Sequence, residues 1–390
     1  MLRKNLVSRL GGSLALPLAL VVCLPGPGRA DDALDEMPPA SEAALERGLA
    51  WLAKNQGVEG NWGSNDLGLV GMGALAFMSA GHAPGRGKYG REVEKALDFV
   101  ISRSKPSGLL NISDAQRDMY NHGLATFVLG QAHGMQTTKD RKLNRVLDSA
   151  LKLIANTQCE DGGWDYKAAR QHAGHDLSLA VMQAKALRSA VDSGLEVPPE
   201  VISQAIQSVR DHYASRGGRG SSEAEQQRLP GQFTYSKGGG GGTIAMAAAG
   251  VVCLQEFGQY DDWRIGKNME VIQAAIQEIP RTRARDGSMP FDAYTLYYVG
   301  QALYQVNGDY WKNNYPKLRD YLVDSQVADP SNPQNHGAWR DHGARGGGRV
   351  GGKDGELYAT SVACFILAIP NRYLPILQEG KIESFRKASQ

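Results

Sequence analysis

The chain has 390 residues, 42% of them hydrophobic, and a formal net charge of +2. This balance excludes a disordered chain, and it excludes binding to nucleic acid through overall charge, so we expect no nucleic-acid partner. The length suffices for one large core or two modest ones.

Residues 1–30 predict a cleaved secretory signal peptide. Basic residues precede an apolar stretch at 14–24, and the small residues Gly28 and Ala30 follow it. We expect cleavage after Ala30 and a secreted or periplasmic protein. The apolar stretch is too short for a permanent membrane helix of ~20 residues, and no other segment is apolar enough, so no transmembrane segment is expected. After the signal peptide, we predict an acidic linker at 31–40, one domain at 41–378 and a polar tail at 379–390.

A short segment of glycine and an aromatic or apolar residue recurs along the predicted domain, and we call each copy a knot. The second copy is degraded, and the third is the clearest. The six knots are GNWG (60–63), SGLLN (107–111), DGGWDY (161–166), GQFTY (231–235), DGSMPF (286–291) and GAWRD (337–341).

The runs that flank the knots predict two kinds of helix. Before the third knot, Leu143, Leu147 and Leu151 recur at helical spacing beside a charged face, which is typical of a half-exposed outer helix. After it, the run that begins at Leu177 is apolar on nearly every side, which indicates a buried inner helix. Six such pairs could stack as an open solenoid. Closing them into a ring buries every inner helix, so we predict an all-α (α/α)6 toroid.

The third repeat, NTQCEDGGWDY followed by HDLSLAVMQAKALRSA, resembles the Gln-and-Trp repeats of the prenyltransferase and squalene-cyclase superfamily. The segment that begins GAWRDHG resembles the last repeat of secreted bacterial members. The resemblance covers residues 41–376 and implies a terpenoid-cyclase-like toroid. It is specific for the fold and much less so for activity, because one scaffold carries several chemistries.

The catalytic signatures of that superfamily are absent from the sequence. Its cyclases use an acid in an Asp-x-Asp-Asp motif, and the nearest match, QYDDW, has Gln259 in the first position. Its zinc enzymes use an Asp-x-Cys pair, which Cys159, Cys253 and Cys364 all lack, and the thioester motif is missing too. DDALD (31–35) and GGRVGGKD (347–354) resemble diphosphate and phosphate motifs out of context, and we interpret both as chance. No cofactor is expected.

Polar residues near the starts of the inner helices are the candidates for function. In a toroid these helix starts face one mouth of the central cavity, where unsatisfied N–H groups favour anions. The catalytic candidates are Asp118, His122, His175, Asp176, Tyr294, Arg340 and His342; the ligand-binding candidates are Tyr120, Asp292, Glu356 and Tyr358.

Each candidate also has a structural interpretation. Asp66, Asp118 and Asp176 stand where they would cap inner helices, and the histidines could serve as hydrogen-bonded structural residues. A metal site of His122, His175 and Asp176 is a further alternative, although the prediction is that no metal binds. Trp164 is predicted to be buried packing, with the knot glycines ending the outer helices.

Three hypotheses about function remain open. The first is a secreted binding protein for an unknown small molecule, glycan or isoprenoid in the central cavity. The second is an enzyme, either a polysaccharide lyase or hydrolase or an unorthodox isoprenoid-active enzyme. It requires His122, His175, Tyr294 and either an acid or Arg340 to converge within ~3 to 4 Å of one another or of a common point. The third is a lipid or isoprenoid carrier with an uncharged cavity, lined by aromatic residues such as Tyr297, Tyr298 and Phe365.

Overall fold

The computed structural model describes residues 37–136, 140–218, 220–280, 285–332, 334–340 and 352–378, the last range without the side chains of 352 and 353. Several sequence predictions lie outside these residues. They are the signal peptide (1–30), most of the acidic linker, the DDALD motif, His342, most of GGRVGGKD and the tail at 379–390.

Twelve long helices account for most of the described chain, and the first begins at Pro39, within the predicted linker. Six are outer helices: α1 (Pro39–Asn55), α3 (Gly90–Ser102), α5 (Arg141–Thr157), α7 (Pro199–Arg210), α10 (Trp263–Gln277) and α12 (Gly308–Ser325). Six are inner helices: α2 (Leu67–Ser79), α4 (Asp118–Met135), α6 (Leu177–Asp192), α9 (Ile244–Glu256), α11 (Ala293–Val306) and α13 (Gly352–Ala368).

The inner helices form a closed ring. In chain order each packs against the next, from α2 through α4, α6, α9 and α11 to α13, and α13 packs back against α2. The predicted all-α toroid is thereby confirmed, and an open solenoid is excluded. Burial follows the arrangement: every residue of α2 is buried, whereas α5 buries one stripe.

The helices pair differently from the prediction. The outer helices α3, α5, α10 and α12 pack mainly on the inner helix that precedes them, and α1 packs mainly on α13. A short turn explains the pairing of α12, because only Asn307 separates it from α11, whereas a long knot segment separates α1 from α2. The N-terminal outer helix therefore completes the ring beside the last inner helix.

The knot glycines allow close contact with the next outer helix. Gly162 has a φ of +81°, and a Cβ there would lie 2.2 Å from the carbonyl oxygen of Gln204 in α7. Gly60, Gly108 and Gly337 repeat this contact, each at positive φ against a backbone carbonyl of α3, α5 or α1. A side chain at these positions would hold the two segments apart.

The knot aromatics tie each outer helix to its knot. Trp164 is buried, as predicted, and its indole N–H donates to the Ile154 carbonyl of α5 at 2.9 Å. Gln158 donates to the carbonyls of Gly162 and Val201, which joins the same knot to α7. Equivalent bonds recur in the first and last knots: Trp62 with Leu52, Trp339 with Leu322, Gln56 with Gly60 and Glu92, and Gln326 with Gly337 and Ala44.

The fourth knot departs from the all-helical prediction. Strands β1 (Tyr213–Ser215) and β2 (Gly231–Phe233) pair antiparallel around a short helix, α8 (Glu223–Arg228). Phe233 takes the place of the tryptophan and packs against Gly250 of α9. Within the described ranges, no helix is both long and apolar enough to cross a membrane.

Candidate ligand-binding cavity

A cavity of about 480 Å³ lies at the mouth where the inner helices begin. All six inner helices contribute to its lining, together with the third and fourth knots. A volume of this order suits a small organic molecule. The lining residues are Asp66, Leu69, Arg117, Tyr120, Asn121, Leu124, Tyr166, Met182, Tyr235, Thr243, Ala245, Met246, Tyr294 and Tyr358.

Acidic residues at the inner helix starts change the electrostatics expected for this mouth. A helix N-terminus carries about half a unit of positive charge, and an ionised carboxylate carries a full negative charge. The carboxylates therefore offset the positive helix ends, and the expectation of an anion-favouring mouth loses its basis. The residues concerned are Asp66, Asp118, Asp176, Asp292 and Asp354, with Thr243 in the corresponding place on α9.

The predicted caps have two different roles. Asp66 and Asp176 accept hydrogen bonds from the first turns of α2 and α6, as predicted. Asp118 instead lies inside the first turn of α4, and its carboxylate accepts from the Asn111 amide at 2.7 Å and from the Ala168 N–H at 3.4 Å. The capping prediction for Asp118 is therefore wrong, because the carboxylate faces the neighbouring loops.

Asp176 is the centre of a hydroxyl network beneath the cavity. Its buried carboxylate accepts hydrogen bonds from the hydroxyls of Tyr166 and Ser178. Tyr166 also bonds Tyr235 at 2.6 Å, and Tyr120 bonds Ser178. One carboxylate thus organises three of the tyrosines that line the cavity.

Burial keeps the cavity tyrosines in the neutral phenol form. Desolvation is the largest cause that raises the pKa of Tyr120, Tyr166, Tyr235 and Tyr294, and the Asp176 carboxylate adds to it. The Tyr294 hydroxyl oxygen is buried near the hydroxyls of Tyr120 and Ser178, and among the described residues it makes no hydrogen bond of standard geometry. An unpaired buried hydroxyl is costly, so a bound molecule that bonds it would be stabilised.

Asp66 and Arg117 form an ion pair of 3.1 Å on another part of the cavity wall. Burial raises the pKa of the Asp66 carboxyl, and the Arg117 guanidinium opposes that rise. The pair gives this wall both an acceptor and a donor.

His122 lies on α4 and does not line the cavity, because its ring bonds the second knot. Its Nδ1 accepts the Leu110 N–H at 3.1 Å, so Nε2 carries the proton and donates to the Ala150 carbonyl of α5 at 3.0 Å. Burial lowers the pKa of His122 to about 4, which leaves it neutral at physiological pH. With both nitrogens used, His122 connects the second knot to the next outer helix, as Gln158 does for the third knot.

The other catalytic candidates do not converge. His175 is about half exposed at the rim, with Nδ1 3.3 Å from Asp176 and its ring edge-on to Tyr166. Arg340 pairs with Glu356 at 3.2 Å, and of the six catalytic candidates that the structure describes only Tyr294 lines the cavity. The geometry required for the enzyme hypothesis is thus not assembled.

The proposed metal triad is not assembled either, because His122 is committed to the second knot. In the described part of the chain, no group of three or more His, Cys, Asp or Glu side chains is arranged to hold a metal ion.

The ligand-binding candidates divide into two groups. Tyr120 and Tyr358 line the cavity, whereas Asp292 is fully buried and caps α11 through the Thr295 N–H and hydroxyl. Glu356 is held by Arg340.

The residues expected to line a carrier cavity are instead in the core. Tyr297, Tyr298 and Phe365 are all fully buried, with Tyr297 packed between the other two rings. The cavity that the structure does contain is lined by other tyrosines and by an ion pair, which does not match an uncharged carrier.

Two important lining residues, Tyr166 and Tyr235, were not among the sequence candidates. Both stand two residues after the knot aromatic, Trp164 in the third knot and Phe233 in the fourth. Aligning the knots with one another would have found them. Arg117 carries no comparable signal, because no other repeat has a basic residue just before its inner helix.

Comparisons with known proteins give only a weak structural likeness. No protein-family model and no curated protein matches the chain. The similar solved structures include two variants of the type II terpene cyclase MstE from Scytonema in complex with geranylgeranyl dihydroxybenzoate. Each has 12% identity and a TM-score of 0.49; they cover 85% and 87% of this chain and 98% and 99% of their own. At this level the likeness bears on neither substrate nor reaction, and the fold rests on the helix packing itself.

Proposed function

We propose that the chain is a binding protein that holds a small organic molecule in the cavity at the inner helix starts. The observation that carries the proposal is the convergence of side chains from all six inner helices on one cavity of about 480 Å³. The lining combines apolar side chains with a few polar groups, which is the usual character of small-molecule sites. The buried Tyr294 hydroxyl supplies a group that a ligand would satisfy.

A thermal-shift screen of the purified protein tests this function. Small molecules, glycans and isoprenoids would be screened, because a ligand that binds only the folded state raises the unfolding temperature. Ala245 lines the cavity, so Ala245→Trp should abolish the shift given by a hit, whereas Ala224→Trp on exposed helix α8 should leave it intact. Equal shifts in both variants would place binding elsewhere and overturn the proposal.

A second candidate function is catalysis. It is favoured by the continuous contact from the exposed His175 through Asp176 to Tyr166 at the cavity, since an imidazole, a carboxylate and a phenol together can move protons. Product formation from polysaccharide or isoprenoid substrates tests it. Asp176→Asn should then stop turnover while Asp140→Asn, a cap change on outer helix α5, does not. Loss of turnover in both variants, or in neither, would reject this role for Asp176.

Membership of the prenyltransferase and squalene-cyclase superfamily is also proposed, supported by the Gln and Trp bonds that recur in three knots.

Export is proposed on the pattern of residues 1–30 alone. Mass spectrometry of the protein recovered from an export-competent host tests export. The expected N-terminus is Asp31, and an intact Met1 on the recovered protein would contradict cleavage.

A further inference from the structure

The protons of the Asp176 network all point toward the carboxylate. Tyr166 and Ser178 each have one hydroxyl proton, and each donates it to Asp176. Tyr235 must therefore donate to Tyr166, and Tyr120 must donate to Ser178. Because the hydroxyl protons of Tyr120 and Tyr235 are donated within the network, only the lone pairs of these two oxygens remain for a ligand. This wall of the cavity therefore offers hydrogen-bond acceptors.

The negative charge of Asp176 has no permanent counter-ion in the described part of the chain. Asp66 is matched by Arg117, and Glu356 by Arg340. The ionic neighbour of Asp176 is His175, at 3.3 Å, which is charged only when protonated. The helix end that Asp176 caps offsets only about half of a unit charge. The wall thus retains an excess of negative charge.

Aromatic faces surround the same place. The rings of Tyr120 and Tyr166 lie 5.8 Å apart at 32°, and the Tyr235 hydroxyl meets that of Tyr166. A cation over a tyrosine face is attracted by the ring quadrupole, and more strongly where water is excluded. Acceptor oxygens, excess negative charge and aromatic faces all favour a positively charged group that donates hydrogen bonds.

We infer that the ligand of this cavity carries a protonated amine, held by the Tyr120 and Tyr235 oxygens and the Tyr166 ring above Asp176. The inference rests on the proposed function and names the chemical class of its ligand. The N–H groups of an ammonium supply the donors that the oxygens lack, and its charge complements the carboxylate. A carboxylate or phosphate would meet lone pairs and negative charge instead.

Titration calorimetry with matched probes tests the inference. Cyclohexyl, benzyl and hexyl skeletons would each be tested as the ammonium, the alcohol and the carboxylate, so that only the head group differs. The expected result is that the ammonium binds at least tenfold more tightly than the alcohol of the same skeleton, and that the carboxylate binds more weakly still. Equal binding of ammonium and alcohol, tighter binding of the carboxylate, or no binding by any ammonium would overturn it.

Two variants connect the preference to this network. Asp176→Asn keeps a good helix cap but removes the charge, so it should reduce the ammonium preference about tenfold, whereas Asp140→Asn on α5 should not. Tyr235→Phe leaves the cap intact and should also weaken ammonium binding. It therefore serves as the test if Asp176→Asn fails to fold. A preference that survives in both Asp176→Asn and Tyr235→Phe contradicts the inference.

The proposed function and this inference can fail separately. If alcohols or carboxylates bind best and Ala245→Trp blocks them, the cavity is a binding site and only the ligand class is wrong. If Ala245→Trp leaves all binding unchanged, the proposed function itself fails.

Discussion

The Trp164 indole N–H donates to the carbonyl of Ile154 at 2.9 Å, ten residues earlier in the chain. Trp62 bonds Leu52 across the same ten-residue interval. The two bonds give the first and third repeats one common connection between outer helix and knot. A fully buried indole of this kind contributes through packing first and through its hydrogen bond second.

Replacing Trp164 with Ala should lower the free energy of unfolding by about 3 to 5 kcal/mol, because it leaves a cavity in the core. Trp164→Phe keeps most of the packing and should cost less. Chemical denaturation measures both, and Trp263→Ala on the partly exposed surface of α10 is the control, with a smaller expected loss. Unchanged stability in Trp164→Ala together with abolished ligand binding would contradict the structural role.

The glycine contact gives a second prediction, with a matched pair of sites. Gly162 and Gly194 both have positive φ, at +81° and +76°, but only at Gly162 would a Cβ meet another atom. Gly194→Ala should cost on the order of 1 kcal/mol for backbone strain alone. Gly162→Ala should cost roughly 1 to 3 kcal/mol more, because α7 must move away from the knot. Equal losses at the two sites would show that the contact with Gln204 is unimportant.

Stability should fall as the pH decreases from about 6.5 to 4, in part through His122. Its pKa is about 4 in the folded protein and close to 6.5 when unfolded, so in this interval the unfolded state binds the extra proton. The stabilisation is fully present above pH 6.5 and is lost as the pH falls, at up to about 1.4 kcal/mol per pH unit. Burial lowers the pKa of His212 to about 4 as well, which adds a second contribution of the same sign.

Denaturation curves across this pH range test the assignment to His122. His122→Gln should be less stable at neutral pH and should show a smaller pH dependence, by about one proton. An unaltered slope in His122→Gln would mean that the buried imidazole is not the titrating group.

The sequence predicted the toroid well because its signals are local and repeated. The stripe of Leu143, Leu147 and Leu151 identifies an outer helix, and Gly162 and Trp164 identify the knot that follows. Each signal needs only the residues within one repeat. The pairing of α1 with α13 could not be read in this way, because ring closure joins residues as far apart in the chain as Gly48 and Cys364.

The cavity was harder to predict than the fold. Tyr120, Tyr294 and Tyr358 were found because each stands two residues after an acidic residue near the start of an inner helix. His122 was misleading, since its spacing from Asp118 suggests a shared face while its ring lies in the second knot. The hydroxyl network around Asp176 joins four segments of the chain, and no single-repeat pattern records such a junction.

A crystal structure of the protein with the strongest ligand from the thermal-shift screen shows whether the cavity is the binding site. We expect ligand density in the cavity, in contact with Tyr166, Tyr235 and Tyr294, with the Tyr294 hydroxyl hydrogen-bonded to the ligand. Ligand density at another surface, with only water among these tyrosines, would contradict it.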